Sequence, residues 1–408
     1  MLAALAVRVA YALLFSEQDN APFATGDFNY FHQIANLLAS GRGYIRPREF
    51  AAMHVMWPSA EHPPLWPFLL AAVSKLGGTS ELAHRLAGCP LGAATVAAVG
   101  LLGRRVAGER AGLIAAGIAA GYPIFVGADA SLMSETLYGL GIAVALLLAY
   151  RLLDRPGPAV AVALGAVLGA AALTRPECLL LLALLALPAA VRGGPGWAPR
   201  LALTCAATVL VLAPWTIRNW TAFGRPVLVS LNDSTVLRGA NCDRAYHGQD
   251  AGFWHLGCLT APRDLRNEAR IAEQYRREGL DYALDHAGRL AVVMPVRILR
   301  TWDLWQPGRQ VLFAEGRNMW VERAGVATYY VLLGLAGFGA LRLRRRRDPP
   351  LWPLLAPFAM VLVVSLMAYG YTKFRYPAEI PLIVLAAVGV EALLTHAGWG
   401  VTSAPGRI

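Results

Sequence analysis

The sequence predicts an all-α polytopic membrane protein of about ten transmembrane helices. Three observations carry this: hydrophobic residues fill 56% of the 408 positions, charged residues only 15%, and the apolar residues gather into Ala/Leu/Val runs. A soluble enzyme of this length carries roughly a quarter charged residues, so an ordinary globular domain is excluded. Disorder is excluded too, because hydrophobicity falls only in two interior stretches. The net charge of +11 is almost all Arg, since Lys75 and Lys373 are the only lysines. The arginines scatter among the loops between apolar runs, so no nucleic-acid partner is expected.

The apolar runs lie at about 1–15, 82–103, 110–127, 133–150, 158–173, 177–191, 201–217, 320–341, 351–369 and 376–394. Several are shorter than the roughly 20 residues of an upright span, which a bundle tolerates when neighbours cover the polar ends. Arginines in short loops set the sidedness. Arg104, Arg105 and Arg110 mark one side, as do Arg151 and Arg155, Arg192 and Arg200, and the run Arg342 to Arg347. With these inside, loops 16–81, 128–132, 174–176, 218–319 and 370–375 face out and both termini face in. The chain is thus expected to be a multi-pass protein of the inner (plasma) membrane. Stretches 64–76 and 288–305 would each add a crossing and invert this order, so both are read as helices at the outer interface. The second carries Arg289, Arg297 and Arg300 along its length. The first run is not read as a signal peptide, because no small-residue cleavage site follows it; its basic flank is expected upstream of Met1. Three parts result: 1–217 with seven helices and the first outer loop, the large outer loop 218–319, and the C-terminal transmembrane helices in 320–408.

Cys89, Cys178 and Cys205 fall in apolar spans and are expected to be packing residues. Cys242 and Cys258 share the large outer loop sixteen positions apart, where an oxidising compartment permits a disulfide. No CxxC or HxxxH spacing accompanies them, so a metal role is not expected.

Nucleotide-binding signatures are absent: there is no GxxxxGK[ST], no GxGxxG after a strand and no DxD pair in the outer loops. A lipid-linked donor fits that constraint. The first outer loop reads TGDFNYFHQIANLLASGRGY, with Asp27 opening a short helix that ends near Gly41 and Gly43. Asp27 is explained either as a helix cap or as a functional carboxylate. Tyr30 and the aromatics around it serve either interfacial anchoring or sugar stacking. His62-Pro63-Pro64 then leads stiffly into the surface helix. Asp129 and Glu135 bracket the short second loop, and Glu135 should lie about one turn into the next span. A carboxylate at that depth is costly unless paired or solvated, so Glu135 either acts in the site or pairs with an arginine. Arg175 and Glu177 stand in the third loop, where Arg175 either binds phosphate or pairs with Glu135 or Glu177. Arg218 and Asn219 sit where the next span leaves the membrane, and Lys373 and Arg375 are at the same level in YGYTKFRYPAEIP. So many cations on the outer side run against the positive-inside preference and favour a site for an anionic headgroup.

In this order the chain resembles the GT-C superfamily of polytopic glycosyltransferases that use polyprenyl-phosphate sugars. It is most similar to the bacterial protein O-mannosyltransferases and the aminoarabinose transferases of lipid A. The likeness rests on DFNYFHQIANLLASGRGY, HPPLWPFLLA, SETLYG, LTRPECLLLL, APWTIRNW and KFRYPAEIP, and covers roughly 20–390. It implies a seven-helix GT-C module in 1–217, Asp27 as the first-loop catalytic acid and Glu135 as the second-loop carboxylate. By the same likeness Arg175, Arg218, Lys373 and Arg375 hold the lipid phosphate. The chain lacks the consecutive acidic pair of eukaryotic protein mannosyltransferases, since Phe28 follows Asp27, and a separate soluble C-terminal domain is not expected, with most outer mass in 218–319.

The chemistry expected is an inverting transfer of a sugar from a polyprenyl-phosphate donor to a glycan, lipid or protein acceptor at the outer face. Cations compensate the leaving phosphate; Asp27 accepts the proton of the attacking hydroxyl; direct attack inverts the anomeric centre. Asp129 and Glu135 would orient Asp27 or the sugar, and His62 and Tyr30 would line the substrate. Carboxylates with His54 or His62 could supply ligands for a divalent cation, though no metal is predicted. A transporter or flippase of lipid-linked glycans is the alternative. It should show internal repeats and polar groups at mid-membrane, whereas no repeat is found and the ionisable residues lie at span ends. A ligase using pyrophosphate-linked glycans stays open within the enzyme class.

Overall fold

The computed structural model describes residues 1–15, 26–262, 264–313, 317–346 and 349–397. The beginning of the expected loop 16–81, through residue 25, and Arg347 of the basic run lie outside them. In chain order the helices are α1 (Leu2–Leu14), α2 (Asp27–Ala39), α3 (Pro47–Met53), α4 (Leu65–Lys75), α5 (Glu81–Ala107), α6 (Glu109–Gly121), α7 (Pro123–Asp129), α8 (Glu135–Asp154) and α9 (Pro158–Ala172). They continue with α10 (Leu187–Arg192), α11 (Trp197–Phe223), α12 (Asn232–Ala240), α13 (Asp243–Tyr246), α14 (Glu268–Asp285), α15 (Ala287–Thr301), α16 (Met319–Arg346), α17 (Trp352–Met367) and α18 (Tyr376–His396). Among the described residues there is no strand, only a bridge between Ile45 and Pro58. The protein is all-α.

α5, α8, α11, α16 and α18 with the turn before it are long and apolar enough to cross a membrane; α6 with α7 makes a sixth, bent span. α1, α4, α9 and α17 are apolar but shorter. Two of the expected runs are broken. α6 and α7 meet at 58°, because Pro123 opens α7 and holds the residue before it, Tyr122, extended (φ −69°, ψ 115°). The run 177–191 is a 3₁₀ turn at Pro176–Leu179, a wide π-type stretch at Leu182–Ala186 and then α10. The wide stretch leaves room for the Pro188 ring, which in a regular helix clashes with the carbonyl four residues earlier.

α18 is enclosed by α16, α6, α5, α17 and α8 and forms the centre of the bundle. Its contact with α16 is backbone on backbone: a Cβ on Gly339 would come within 1.9 Å of the Leu385 carbonyl, and one on Gly389 within 2.4 Å of that of Leu335. Small residues give a helix pair such close approach where no hydrophobic drive separates protein from lipid.

α2 and α4 pack against each other, and α4 against α5. The 64–76 helix is therefore built into the molecule: Trp66 is buried and its indole N–H reaches the Leu132 carbonyl at 2.8 Å. The second helix read at the interface, α15, is anchored on one face as well, while Ala291, Val292 and Pro295 stay exposed on another. Arg297 and Arg300 are buried and donate to carbonyls of the large loop, Arg297 to Ala240 (2.6 Å) and Arg300 to Ala251 and Gln249 (2.7 Å each). Its arginines tie down loop backbone instead of meeting headgroups.

A closed polar ring fixes α2 to its neighbours. Asn36 Nδ2 meets His32 Nε2 at 3.4 Å, His32 Nδ1 meets His84 Nδ1 at 3.1 Å, His84 Nε2 meets Ser74 Oγ at 2.8 Å, and Ser74 Oγ donates to Asn36 Oδ1 at 2.8 Å. One set of neutral tautomers satisfies all four contacts with every group donating once around the ring. The helix that begins with Asp27 is thereby held from behind.

Candidate active site

Asp27 is the first residue of α2, but it does not cap it: Gly26 holds the cap position and no side-chain cap bond is made. The carboxylate turns outward instead. Oδ2 lies 3.5 Å from Lys373 Nζ and Oδ1 lies 3.5 Å from His62 Nε2. Lys373 belongs to the 3₁₀ turn Thr372–Arg375 that precedes α18, and His62 to the proline-stiffened lead into α4. Burial alone would raise the Asp27 carboxyl; the Lys373 ammonium and the His62 imidazole outweigh it and hold it well below the usual carboxylate range. For His62 burial opposes charge, and the Asp27 carboxylate reverses the balance and raises its pKa.

These three residues face a cleft of about 410 Å³ shared with Arg175, Glu177, Ser134 and Phe374. Arg175 donates to Glu135 (2.7 Å) and Glu177 (2.9 Å), so both expected pairings form around one guanidinium. Glu135 is fully buried behind Arg175 and does not reach the cleft. Its other neighbour is Arg317, 4.0 Å away, which also donates to Glu322 at 3.4 Å. The wall opposite in sequence comes from the large loop: Ser230, Asn232, Asp233, Thr235 and Trp254.

The structure places the remaining candidates elsewhere. Asp129 ends α7 and pairs with Arg8 of α1 at 2.5 Å, both buried; a Cβ on Gly92 would come within 2.0 Å of that carboxylate, so the pair occupies a slot shaped for it. Arg375 points away from the cleft, pairs with Glu379 one turn along at 2.5 Å and lies 3.5 Å from the Tyr329 ring centre. Arg218 stacks on Trp215 (4.8 Å) and donates to the Ser59 and Tyr44 carbonyls at 2.7 Å each. It braces the segment that leads to His62 and does not line the cleft. Tyr30 lies beneath His62, ring centres 4.8 Å apart, with its hydroxyl 2.9 Å from Ser59 Oγ. His54 is exposed at the end of α3. Among the described residues no three His, Cys, Asp or Glu side chains converge to hold a metal ion, so no step is routed through one.

Cys242 and Cys258 form a disulfide with Cα atoms 6.2 Å apart, while Cys89 and Cys178 are buried free thiols and Cys205 is a half-buried one. The bridge closes the loop that carries Trp254. Replacing both cysteines by Ser should destabilise the large loop by about 3 kcal/mol in the chain-entropy picture for a loop of sixteen residues. Limited proteolysis of the detergent-solubilised protein reads this, and unchanged cleavage between α12 and α14 would contradict it.

Glu268, which the sequence reading did not single out, docks the large loop onto the approach to His62. It accepts from the Ala60 N–H at 2.5 Å and from Ser59 Oγ at 3.2 Å, with Arg46 3.8 Å away. Burial, and then the Glu61 carboxylate, push its carboxyl up to about 7. A carboxyl raised in the folded state contributes stability that is complete below its ordinary value and is lost as pH rises through 7. The loop should therefore dock more firmly at pH 5 than at pH 8, by on the order of 2–3 kcal/mol. Melting of the wild type and Glu268→Gln at both values checks this; the variant should show the smaller difference. Asn267, capping α14 ahead of an amphipathic run, is the sequence signal that locates Glu268 at a buried helix start. Nothing local distinguishes Arg8, because its partner Asp129 is 121 positions away; Arg317 has Glu322 five positions on, but the link to Glu135 is remote.

The profile of the family described as dolichyl-phosphate-mannose-protein mannosyltransferase matches residues 61–217. That stretch contains His62, Glu135 and Arg175 but neither Asp27 nor Lys373. No curated protein sequence matches the chain. The oligosaccharyltransferase of Archaeoglobus fulgidus in its apo form is 15% identical with a TM-score of 0.54, over 97% of this chain and 50% of that one. The same enzyme tethered to an acceptor peptide containing the NVT sequon is 14% identical with a TM-score of 0.54, over 98% and 50%. ArnT from Cupriavidus metallidurans bound to undecaprenyl phosphate is 17% identical over 90% and 74%, with a TM-score of 0.44. The chain thus spans about half the length of the oligosaccharyltransferase structures it matches. It shares the fold of the part of that oligosaccharyltransferase that it covers.

Proposed function

We propose that this protein is an inverting membrane glycosyltransferase that moves a sugar from a polyprenyl-phosphate donor to an acceptor hydroxyl at the outer membrane face. The observation that carries the proposal is the carboxylate of Asp27 held between Lys373 and His62 in one cleft with Arg175. The donor phosphate would lie against Lys373 and Arg175. Its arrival would compete with Asp27 for the Lys373 ammonium, and the freed carboxylate would become a better base. As the acceptor oxygen attacks the anomeric carbon, its proton passes to Asp27. The bond from that carbon to the phosphate oxygen breaks, and polyprenyl phosphate departs with its charge compensated. Arg317 and Glu135 hold Arg175 in place from behind.

The location is supported by helix polarity. The cleft gathers the residues at the start of α8 and before α18, while α5 and α8 end at Arg104, Arg105 and Arg151, where Arg105 pairs with Asp154. The arginine-rich ends would face the cytoplasm and the cleft the outside. Residues 1–217 would supply the base and Arg175, 218–319 the outer wall and 320–408 Lys373.

Membranes containing the protein, given undecaprenyl-phosphate mannose, glucose or aminoarabinose labelled in the sugar, provide the test. Label moving from the donor to another membrane or envelope fraction is the expected result. Protected movement of intact donor across the bilayer without transfer would favour a flippase.

A further inference from the structure

The cleft has two chemically distinct sides. The side built by the helical bundle carries Asp27, His62, Arg175 and Lys373; the side built by the large loop carries Ser230, Asn232, Thr235 and Trp254. The first is charged. The second combines hydroxyl and amide side chains and an indole with apolar Leu228 and Val236, and its one carboxylate, Asp233, is paired with Arg276; the reaction proposed above uses none of them.

Trp254 is seated firmly. Its indole N–H donates to the Thr235 carbonyl at 2.7 Å, so its one polar atom is already bound within the protein and the ring has only its hydrocarbon surface left to offer. The ring lies directly against α12, where a Cβ on Gly239 would come within 2.1 Å of the indole nitrogen. The backbone around it is tied on both sides: His255 N–H to the Gly239 carbonyl at 3.0 Å, and Gly370 N–H to the Gly252 carbonyl at 2.7 Å. Arg300 covers the neighbouring Phe253 with its guanidinium carbon 3.9 Å from the ring centre. The Cys242–Cys258 bridge spans the whole segment. A rigid aromatic surface loses little freedom when a ligand settles on it.

We propose that this wall is the acceptor subsite and that the acceptor is a glycan. This rests on the glycosyltransferase reading of the same cleft. A sugar ring offers a C–H face and a rim of hydroxyls, matching an aromatic surface bordered by the Asn232 amide and the Ser230 and Thr235 hydroxyls. The described residues contain no strand to which an extended peptide acceptor could add. A lipid acceptor would meet apolar lining at Leu228, Val236, Val364 and Ala368, but the Ser230, Asn232 and Thr235 side chains beside Trp254 suit a hydroxylated ring better than an acyl chain. A volume of about 410 Å³ admits compact groups, near the small end of the usual 300–1,000 Å³ range.

The test uses the full-length protein in nanodiscs and two measurements. Saturation-transfer NMR reads binding of methyl glycosides of mannose, glucose, galactose and arabinose, with and without the undecaprenyl-phosphate sugars named above. Binding of undecaprenyl phosphate is measured in parallel. We expect at least one glycoside to bind the wild type, to stay bound when the sugar-loaded donor is present, and to lose at least tenfold in affinity in Trp254→Ala and less in Trp254→Phe. Undecaprenyl phosphate should bind all three proteins equally, which shows that they are folded. No glycoside binding, equal binding by Trp254→Ala, or displacement by the sugar-loaded donor would each overturn the acceptor assignment. Failure of undecaprenyl phosphate to bind the wild type would instead count against the transferase reading.

Discussion

Asp27→Asn is expected to lower sugar transfer by about 10²–10⁴-fold at unchanged expression, the usual contribution of a positioned general base. The substitution keeps the shape of the side chain and removes its ability to accept a proton. The two flanking contacts at 3.5 Å make the effect specific to this carboxylate. Neither Glu135 nor Asp129 is free to replace it, since each is buried and paired with an arginine. Binding of undecaprenyl phosphate should survive in the variant, because the change removes a negative charge beside Lys373. Comparing transfer rate with phosphate binding in the same membranes separates a chemical defect from a folding defect. Equal transfer by variant and wild type would remove Asp27 as the base.

The second large effect is on stability. Glu135→Ala should destabilise the protein by about 2–3 kcal/mol, below the cost of a wholly unpartnered buried charge, because Arg175 keeps Glu177 and Arg317 keeps Glu322. Glu135 is 0% exposed and accepts from Arg175 at 2.7 Å with Arg317 a further neighbour. Removing it leaves two cations facing each other behind the cleft. Arg175→Ala alone should cost less, because Arg317 still faces Glu135, and the double variant should be more stable than the sum of the two single losses implies. Thermal unfolding in detergent measures all three. A Glu135→Ala protein that melts with the wild type would show that the pair carries no such weight and would place Glu135 within reach of water.

Much of this architecture could be read from composition alone. Apolar runs and glycines act within a few residues of themselves, so most helix positions and the end of α2 before Gly41 and Gly43 follow from local rules, whereas the breaks at Pro123 and within 177–191 fall inside runs that read as single spans. Asp27, His62, Arg175 and Lys373 could also be singled out, because ionisable side chains at span ends are costly and few.

What local rules could not do was separate the cations and carboxylates that meet in the cleft from those consumed by the bundle. Arg175 and Arg375 stand at the same kind of position in the sequence. One lines the cleft; the other turns back onto Glu379. Asp129 looks like Asp27 until Arg8, 121 positions away, is brought against it. Arg218 and the α15 arginines resemble headgroup binders until loop carbonyls are found in front of them. The outer wall with Trp254 and the docking carboxylate of Glu268 belong to a polar loop with no periodicity to read. Sequence by itself determined the class of protein, its helices and a short roster of ionisable residues, because those depend on transfer energies and backbone preferences that act locally. The tertiary structure alone decided which of them share a cleft, because a charge takes its role from the partner that desolvation forces on it, and Asp27 finds Lys373 across 346 positions of chain.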